Sequence, residues 1–147
     1  MKIIVQRALK SSVTIDNEKT AEIDKGYVLF VAIHKEDNID VVKKMAKKIF
    51  NLRIFEDENE KMNLNITDVN GKILSISQFT LYAKLNGNRP SFTESMNYKD
   101  AKKLYDLFNL ELDELGLDVL TGRFGADMKV SIINDGPVTI IMDSKEL

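Results

Sequence analysis

Gly26-Tyr27-Val28-Leu29-Phe30-Val31-Ala32-Ile33 is a nearly continuous apolar run, rich in β-branched and aromatic residues and closed by His34. A strand with one face in water alternates apolar and polar side chains, whereas a strand without alternation needs apolar cover on both faces. This run therefore predicts a central strand, and the rest of the chain must supply its cover. With 147 residues the chain suits one domain, able to bury roughly 70% of the surface its unfolded form exposes.

A second stretch, Ile73-Leu74-Ser75-Ile76-Ser77-Gln78-Phe79-Thr80-Leu81-Tyr82, begins with strand periodicity. Ile73, Ser75, Ser77 and Phe79 fall on one face, and Leu74, Ile76, Gln78 and Thr80 on the other. From Ser77 to Thr80 polar groups occur on both faces of an otherwise apolar run. A buried hydroxyl or amide without a partner costs about 1–3 kcal/mol. Either neighbouring backbone satisfies these groups, or the strand runs out at a site where a ligand does.

The remaining elements follow from shorter patterns. Met1 to Ala8 and Ser12 to Asp16 read as strands, with Asp16-Asn17-Glu18 as a turn ending the second. Asp37 or Asn38 can cap a helix running to about Asn51, with Val42, Met45, Ala46 and Ile49 inward and Lys43, Lys44, Lys47 and Lys48 on the other side. Leu52 to Phe55 reads as a short strand, Glu56 to Asn63 as a polar loop, and Asn70-Gly71 as a turn into the second stretch. Ala83 to Phe92 is a loop. A second helix is expected from about Tyr98 to Leu115, with Leu104, Leu107, Phe108 and Leu112 buried and Gly116 at its C-terminal cap. Asp118 to Leu120, Met128 to Ile133 and Val138 to Met142 complete the strands, with Gly122 to Ala126 and Asn134 to Pro137 interrupting them. Strands and helices are grouped rather than alternating. The expected fold is a single α+β domain over residues 1–147, with a mixed or antiparallel sheet core and two main helices.

Composition narrows the chemistry. There is no cysteine and one histidine, so no thiolate, no disulfide framework and no histidine metal cluster is available. No apolar run reaches the roughly 20 residues of a membrane span, and no signal-peptide pattern is present, so a soluble cytoplasmic protein is expected. The net charge of −2 argues against a wholly basic nucleic-acid binder but allows a local basic face.

Two stretches could carry a site. Ser77 and Thr80 offer hydroxyls, which are weak nucleophiles without an adjacent base; on its residues alone Thr80 reads as a strand threonine bonded to nearby backbone. Asn134-Asp135-Gly136-Pro137-Val138-Thr139 reads as a reverse turn, yet Gly136 would let a ligand or another chain approach closely, and Pro137 leaves carbonyls rather than donors. The lysines of the first helix, with Lys99, Lys102 and Lys103, could meet phosphates, although solvated helix faces are commoner.

Together, Ser77-Gln78-Phe79-Thr80-Leu81 and Asn134-Asp135-Gly136-Pro137-Val138-Thr139 resemble the two signature motifs of D-aminoacyl-tRNA deacylases. The resemblance extends through Met1 to Arg7, Gly87 to Phe92 and Gly122 to Met128, covering essentially the whole chain. It implies a homodimer without metal or organic cofactor that hydrolyses the ester between a D-amino acid, or glycine misattached to tRNA-Ala, and the terminal adenosine of tRNA. It implies that Ser77, Gln78, Phe79 and Thr80 form the catalytic floor, with backbone N–H groups near Phe79 as oxyanion donors. Thr80 stands where a nucleophile has been assigned in the family, and the RNA 2′-hydroxyl is the competing agent. A cis Gly136-Pro137 peptide is implied to enter the partner's site and exclude L-amino acids.

Arg7 could anchor that peptide through its forked donors, with a surface ion pair as the plainer role; Phe124 and Met128 would line the pocket or pack in the core. The other function classes left open are a non-catalytic RNA-binding module and a general esterase.

Overall fold

The computed structural model describes residues 1–147. In chain order its elements are β1 (Lys2–Ala8), β2 (Ser11–Ile15), β3 (Glu18–Ile23), β4 (Gly26–Ala32), α1 (Ile39–Asn51), β5 (Phe55–Glu56), β6 (Met62–Leu64) and β7 (Lys72–Ser77). A 3-10 turn (Phe79–Tyr82), α2 (Tyr98–Glu114), β8 (Val119–Thr121), β9 (Lys129–Ser131) and β10 (Asn134–Asp143) follow. Five strands form a sheet in the order β10-β1-β4-β7-β8, and β4 is its centre as the apolar run requires. β1 pairs antiparallel with β10 and β4, while β4, β7 and β8 run parallel, so the sheet is mixed. Parallel neighbours need long crossovers, and the two here carry α1 and α2.

Both helices cover one face of the sheet. Tyr27, Leu29 and Val31 of β4 pack with Val42, Met45, Ala46 and Ile49 of α1 and with Ala101, Tyr105, Phe108 and Leu112 of α2. Each large side chain so buried contributes about 1.5–3 kcal/mol. Asn38 caps α1 by accepting the Val41 N–H at 3.1 Å, and Asn97 caps α2 by accepting the Asp100 N–H at 3.0 Å. The opposite face is covered by a second sheet, β3-β2-β9, whose Val13, Ile15 and Ile23 meet Val28, Leu74 and Ile76.

That second cover stops short of the β10 edge. Ile141, Ile4, Phe30 and Ile76 form one cross-strand row; Ile76 is buried, Ile4 and Phe30 are half-buried, and Ile141 is 69% exposed. The large sheet therefore ends in an apolar strip facing water.

Several expectations are corrected. The turn expected at Asp16-Asn17 is present, with φ of 51° and 64°, but as the tip of a hairpin whose second strand was not expected. It leads into β3, whose outward Glu18, Lys19, Thr20 and Glu22 hide a strand that buries Ala21 and Ile23. The strand expected at Leu52 to Phe55 is confined to Phe55–Glu56 and pairs with Met62–Leu64, partly inside the expected loop. Alternation in the second stretch ends at Ser77, where the chain tightens into the 3-10 turn. On α2 the fully buried stripe is Ala101, Tyr105, Phe108 and Leu112, with Leu104 and Leu107 only partly buried.

Asn134 to Pro137 is no separate turn. It belongs to β10, as an irregularity where pairing with β1 shifts between Gln6 and Ala8.

Candidate active site

The parallel pairing of β4 and β7 brings the chain to Ser77 beside Val31. The Gln78 N–H still donates to the Val31 carbonyl at 2.8 Å, but its backbone (φ −145°, ψ 75°) leaves the strand. Phe79 to Tyr82 then close a single 3-10 turn. The leading N–H groups of such a turn have no partner inside it, and those of Phe79 and Thr80 meet no other acceptor in the chain. Two adjacent backbone donors are left free where β7 ends.

A cavity of about 540 Å³ opens there, within the size range of small-molecule sites. Ile76, Ser77, Gln78 and Phe79 form one wall, Met96, Tyr98 and Ala101 a second, and the segment Phe124 to Met128 with Val130 a third. The Phe124 ring packs edge-on to Tyr98 at 5.1 Å and tilted against Tyr105 at 5.4 Å. Tyr98 donates from its hydroxyl to the Phe124 carbonyl at 3.3 Å, tying α2 to this segment. Phe124 and Met128 thus both line the cavity and pack against the two cores.

Asp127 is the one charged residue lining the cavity, and it is paired with Lys129 at 2.8 Å. Thr80 is exposed beside the cavity rather than in its wall, and its hydroxyl accepts a hydrogen bond from the Gln78 amide. No carboxylate or imidazole contacts that hydroxyl. No group of three His, Asp or Glu side chains is gathered where it could hold a metal ion.

Arg7, Gly136 and Pro137 lie elsewhere. Arg7 is only 5% exposed, so the ion pair considered for it is made by a buried rather than a surface guanidinium. Its Nη1 donates to the Ile54 carbonyl at 2.9 Å and its Nε to the Asp135 carbonyl at 3.2 Å. Nη2 lies 3.6 Å from the Glu56 carboxylate. The guanidinium thus grips the peptide preceding Gly136, and not the Gly136 and Pro137 carbonyls it was expected to anchor. The Asn134 amide spans the irregularity in β10, donating to the Arg7 carbonyl at 3.1 Å and the Val138 carbonyl at 2.9 Å. Between these clamps Gly136 (φ 117°) and Pro137 are exposed, joined by a cis peptide bond.

The two halves stand at opposite ends of the sheet. Ala8, Gly26 and Lys72 share the row of Asn134, whereas Ile3, Val31 and Ser77 share the row of Met142. With about 3.3 Å per residue along strands and about 4.8 Å between them, Gly136 and Ser77 of one chain are on the order of 20 Å apart. Ser77, Gln78, Phe79, Phe124 and Met128 meet at one cavity, with Thr80 beside it; Arg7, Gly136 and Pro137 do not.

Pattern reading missed Met96 and Tyr98, and it singled out Asn134 only as part of its stretch, not for the clamp it makes. The first two reach the cavity only through the docking of α2, which no local pattern encodes. For Asn134 the signal was an Asx residue ahead of a Gly-Pro pair.

A family model described as D-Tyr-tRNA(Tyr) deacylase matches residues 4–143. A D-aminoacyl-tRNA deacylase of Lactobacillus gasseri is 53% identical over 144 residues, covering 97% of this chain and 99% of that protein. One from Clostridium novyi is 53% identical over 148 residues, covering 99% of each. Among solved structures, the c-Myc DNA unwinding element binding protein superposes with a TM-score of 0.92 at 39% identity, over 97% of this chain and 98% of its own. A probable eukaryotic D-amino acid tRNA deacylase superposes at 0.82 over 96% and 97%, and at 16% identity that likeness concerns the fold alone.

Proposed function

The chain belongs to the D-Tyr-tRNA(Tyr) deacylase family, and from that premise we propose that it hydrolyses D-aminoacyl-tRNA, releasing free D-amino acid and tRNA. The observation that carries the reading is the pair of unpartnered N–H groups at Phe79 and Thr80, beside a cavity lined by Ser77, Gln78 and Phe79. An aminoacyl ester is already activated. Water adds to its carbonyl carbon, the bond to the ribose oxygen breaks, and the proton lost by water ends on that ribose oxygen. Negative charge develops meanwhile on the carbonyl oxygen, where preorganised backbone donors are worth several kcal/mol each.

Proton handling falls to the substrate. The partner of the Thr80 hydroxyl is the Gln78 amide, which donates and cannot take a proton. A hydroxyl without a base is a poor nucleophile, so Thr80 does not attack; water does, and the vicinal ribose hydroxyl, fixed beside the ester, relays its proton to the leaving ribose oxygen. Ser77, Gln78 and Thr80 hold and orient, and Phe124 and Met128 shape the pocket.

Chirality is read by a second copy of the chain. The exposed strip from Ile141 to Phe30 gives an isologous partner an apolar surface to cover. Gly136 and Pro137 are carried at the same β10 edge and are too far from Ser77 to act within one chain. Their carbonyls, reaching the partner's cavity, collide with a side chain of L-configuration. Such a site reads only backbone, so it accepts varied D-residues and also glycine, including glycine on tRNA-Ala. A tRNA substrate goes with a cytoplasmic location.

Incubation with D-tyrosyl-tRNA and L-tyrosyl-tRNA at equal concentration tests the reading. Release of D-tyrosine alone is expected. Release from neither would make the protein a binding module, and hydrolysis of simple esters would make it a general esterase.

A further inference from the structure

We infer that Ser95 is a positioning residue for the deacylation site, an inference that rests on the function proposed above. Glu94 to Met96 form a short strap across the end of β4. The Lys35 N–H donates to the Glu94 carbonyl at 3.0 Å, and the Met96 N–H donates to the Ile33 carbonyl at 3.0 Å. These bonds hold Ser95 from both sides, in a bridge opposite His34.

The side chains fasten the same strap. Glu94 receives Lys35 Nζ at 2.9 Å, Lys84 Nζ at 3.2 Å and His34 Nε2 at 3.2 Å. Lys35 and His34 follow β4, whereas Lys84 follows the 3-10 turn, so one carboxylate joins both segments. Next along the strap, Met96 enters the cavity wall.

Held in this way, Ser95 donates from Oγ to the Phe79 carbonyl at 3.0 Å. That carbonyl and the Thr80 N–H are two ends of one planar peptide unit and point in opposite directions. Fixing the oxygen fixes the direction of the donor. Ser95 therefore never touches the ester, yet it sets the aim of an N–H that does. A donor swinging freely about its flanking torsions would have to be aligned in the transition state, which is the cost that preorganisation removes.

The test is Ser95→Ala beside Ser95→Thr, assayed on D-tyrosyl-tRNA with the Thr80 amide followed by nitrogen-15 NMR. For Ser95→Ala, kcat should fall about tenfold with KM within about twofold. The Thr80 amide resonance should shift and its hydrogen exchange speed up, and Ser95→Thr should restore both. Unchanged kcat, or an unmoved Thr80 amide, overturns the inference while leaving the deacylase reading intact. A fall in kcat matched by lower thermal stability, and not rescued by threonine, also overturns it in favour of a purely structural strap. A wild-type protein that releases nothing overturns the deacylase reading itself, and the role inferred for Ser95 falls with it.

Discussion

A Cβ placed on Gly136 would stand 2.8 Å from Nη2 of Arg7. The end of an arginine side chain can usually move aside, but Arg7 is buried and donates to the carbonyls of Ile54 and Asp135. The glycine φ of 117° is also one that L-residues rarely adopt. Gly136→Ala should therefore displace the exposed edge and erode discrimination. Hydrolysis of L-tyrosyl-tRNA should rise at least about tenfold relative to the D-ester, since about 1.4 kcal/mol of lost rejection is enough. Unchanged selectivity in a competition assay would remove the chiral role from this edge.

Arg7→Lys keeps the charge and loses the fork. A lysine cannot donate to Ile54 and Asp135 from the same two positions, and hydrogen bonds from charged groups are worth about 1.5–3 kcal/mol each. Chemical unfolding should show a loss of about 2 kcal/mol, with selectivity falling more than turnover. A variant as stable and as selective as the parent would make the clamp incidental.

For Thr80→Ala, the Gln78 amide loses its acceptor and nothing else in the chain loses a proton donor or base. Single-turnover deacylation should slow by less than about tenfold, against the 10⁴-fold or greater loss typical of removing a nucleophile. Near-complete loss of turnover would restore Thr80 as the attacking group.

Glu94 is held down to about 2 from an ordinary value near 4.5, chiefly by Lys35 and then by Lys84 and His34. A carboxylate whose folded value is depressed contributes stability that is complete above its unfolded value and disappears as pH falls through the folded one. The window here is from about pH 4.5 down to about 2. Urea midpoints measured through that window should decline more steeply for the parent than for Glu94→Gln. Parallel declines would show that Lys35, Lys84 and His34 do not depend on this carboxylate.

Much of the fold was legible because its decisive signals are local. The unbroken run from Gly26 had to be central, and the spacing of Val42, Met45, Ala46 and Ile49 had to be a helix face. β3 was hidden because only Ala21 and Ile23 of its residues point inward. The end of β7 was legible only in part. Alternation of apolar and polar residues breaks at Ser77-Gln78, which left open that the strand runs out there, but nothing local specifies the 3-10 turn that follows. Ser77 to Thr80 could be singled out by polarity in an apolar run, but their partners Met96, Tyr98 and Ser95 arrive from segments placed by long-range packing.

The distance between Gly136 and Ser77 has a further consequence. No hinge within one chain can carry one end of a hydrogen-bonded sheet to the other, so in the proposed dimer the two halves of each site answer to stoichiometry. Defects at opposite ends become complementable: chains impaired at Gly136, unselective alone, and chains impaired at Phe79, inactive alone, would rebuild one sound pocket in every mixed pair. Dilution, for the same reason, would abolish chiral selection before it unfolded anything.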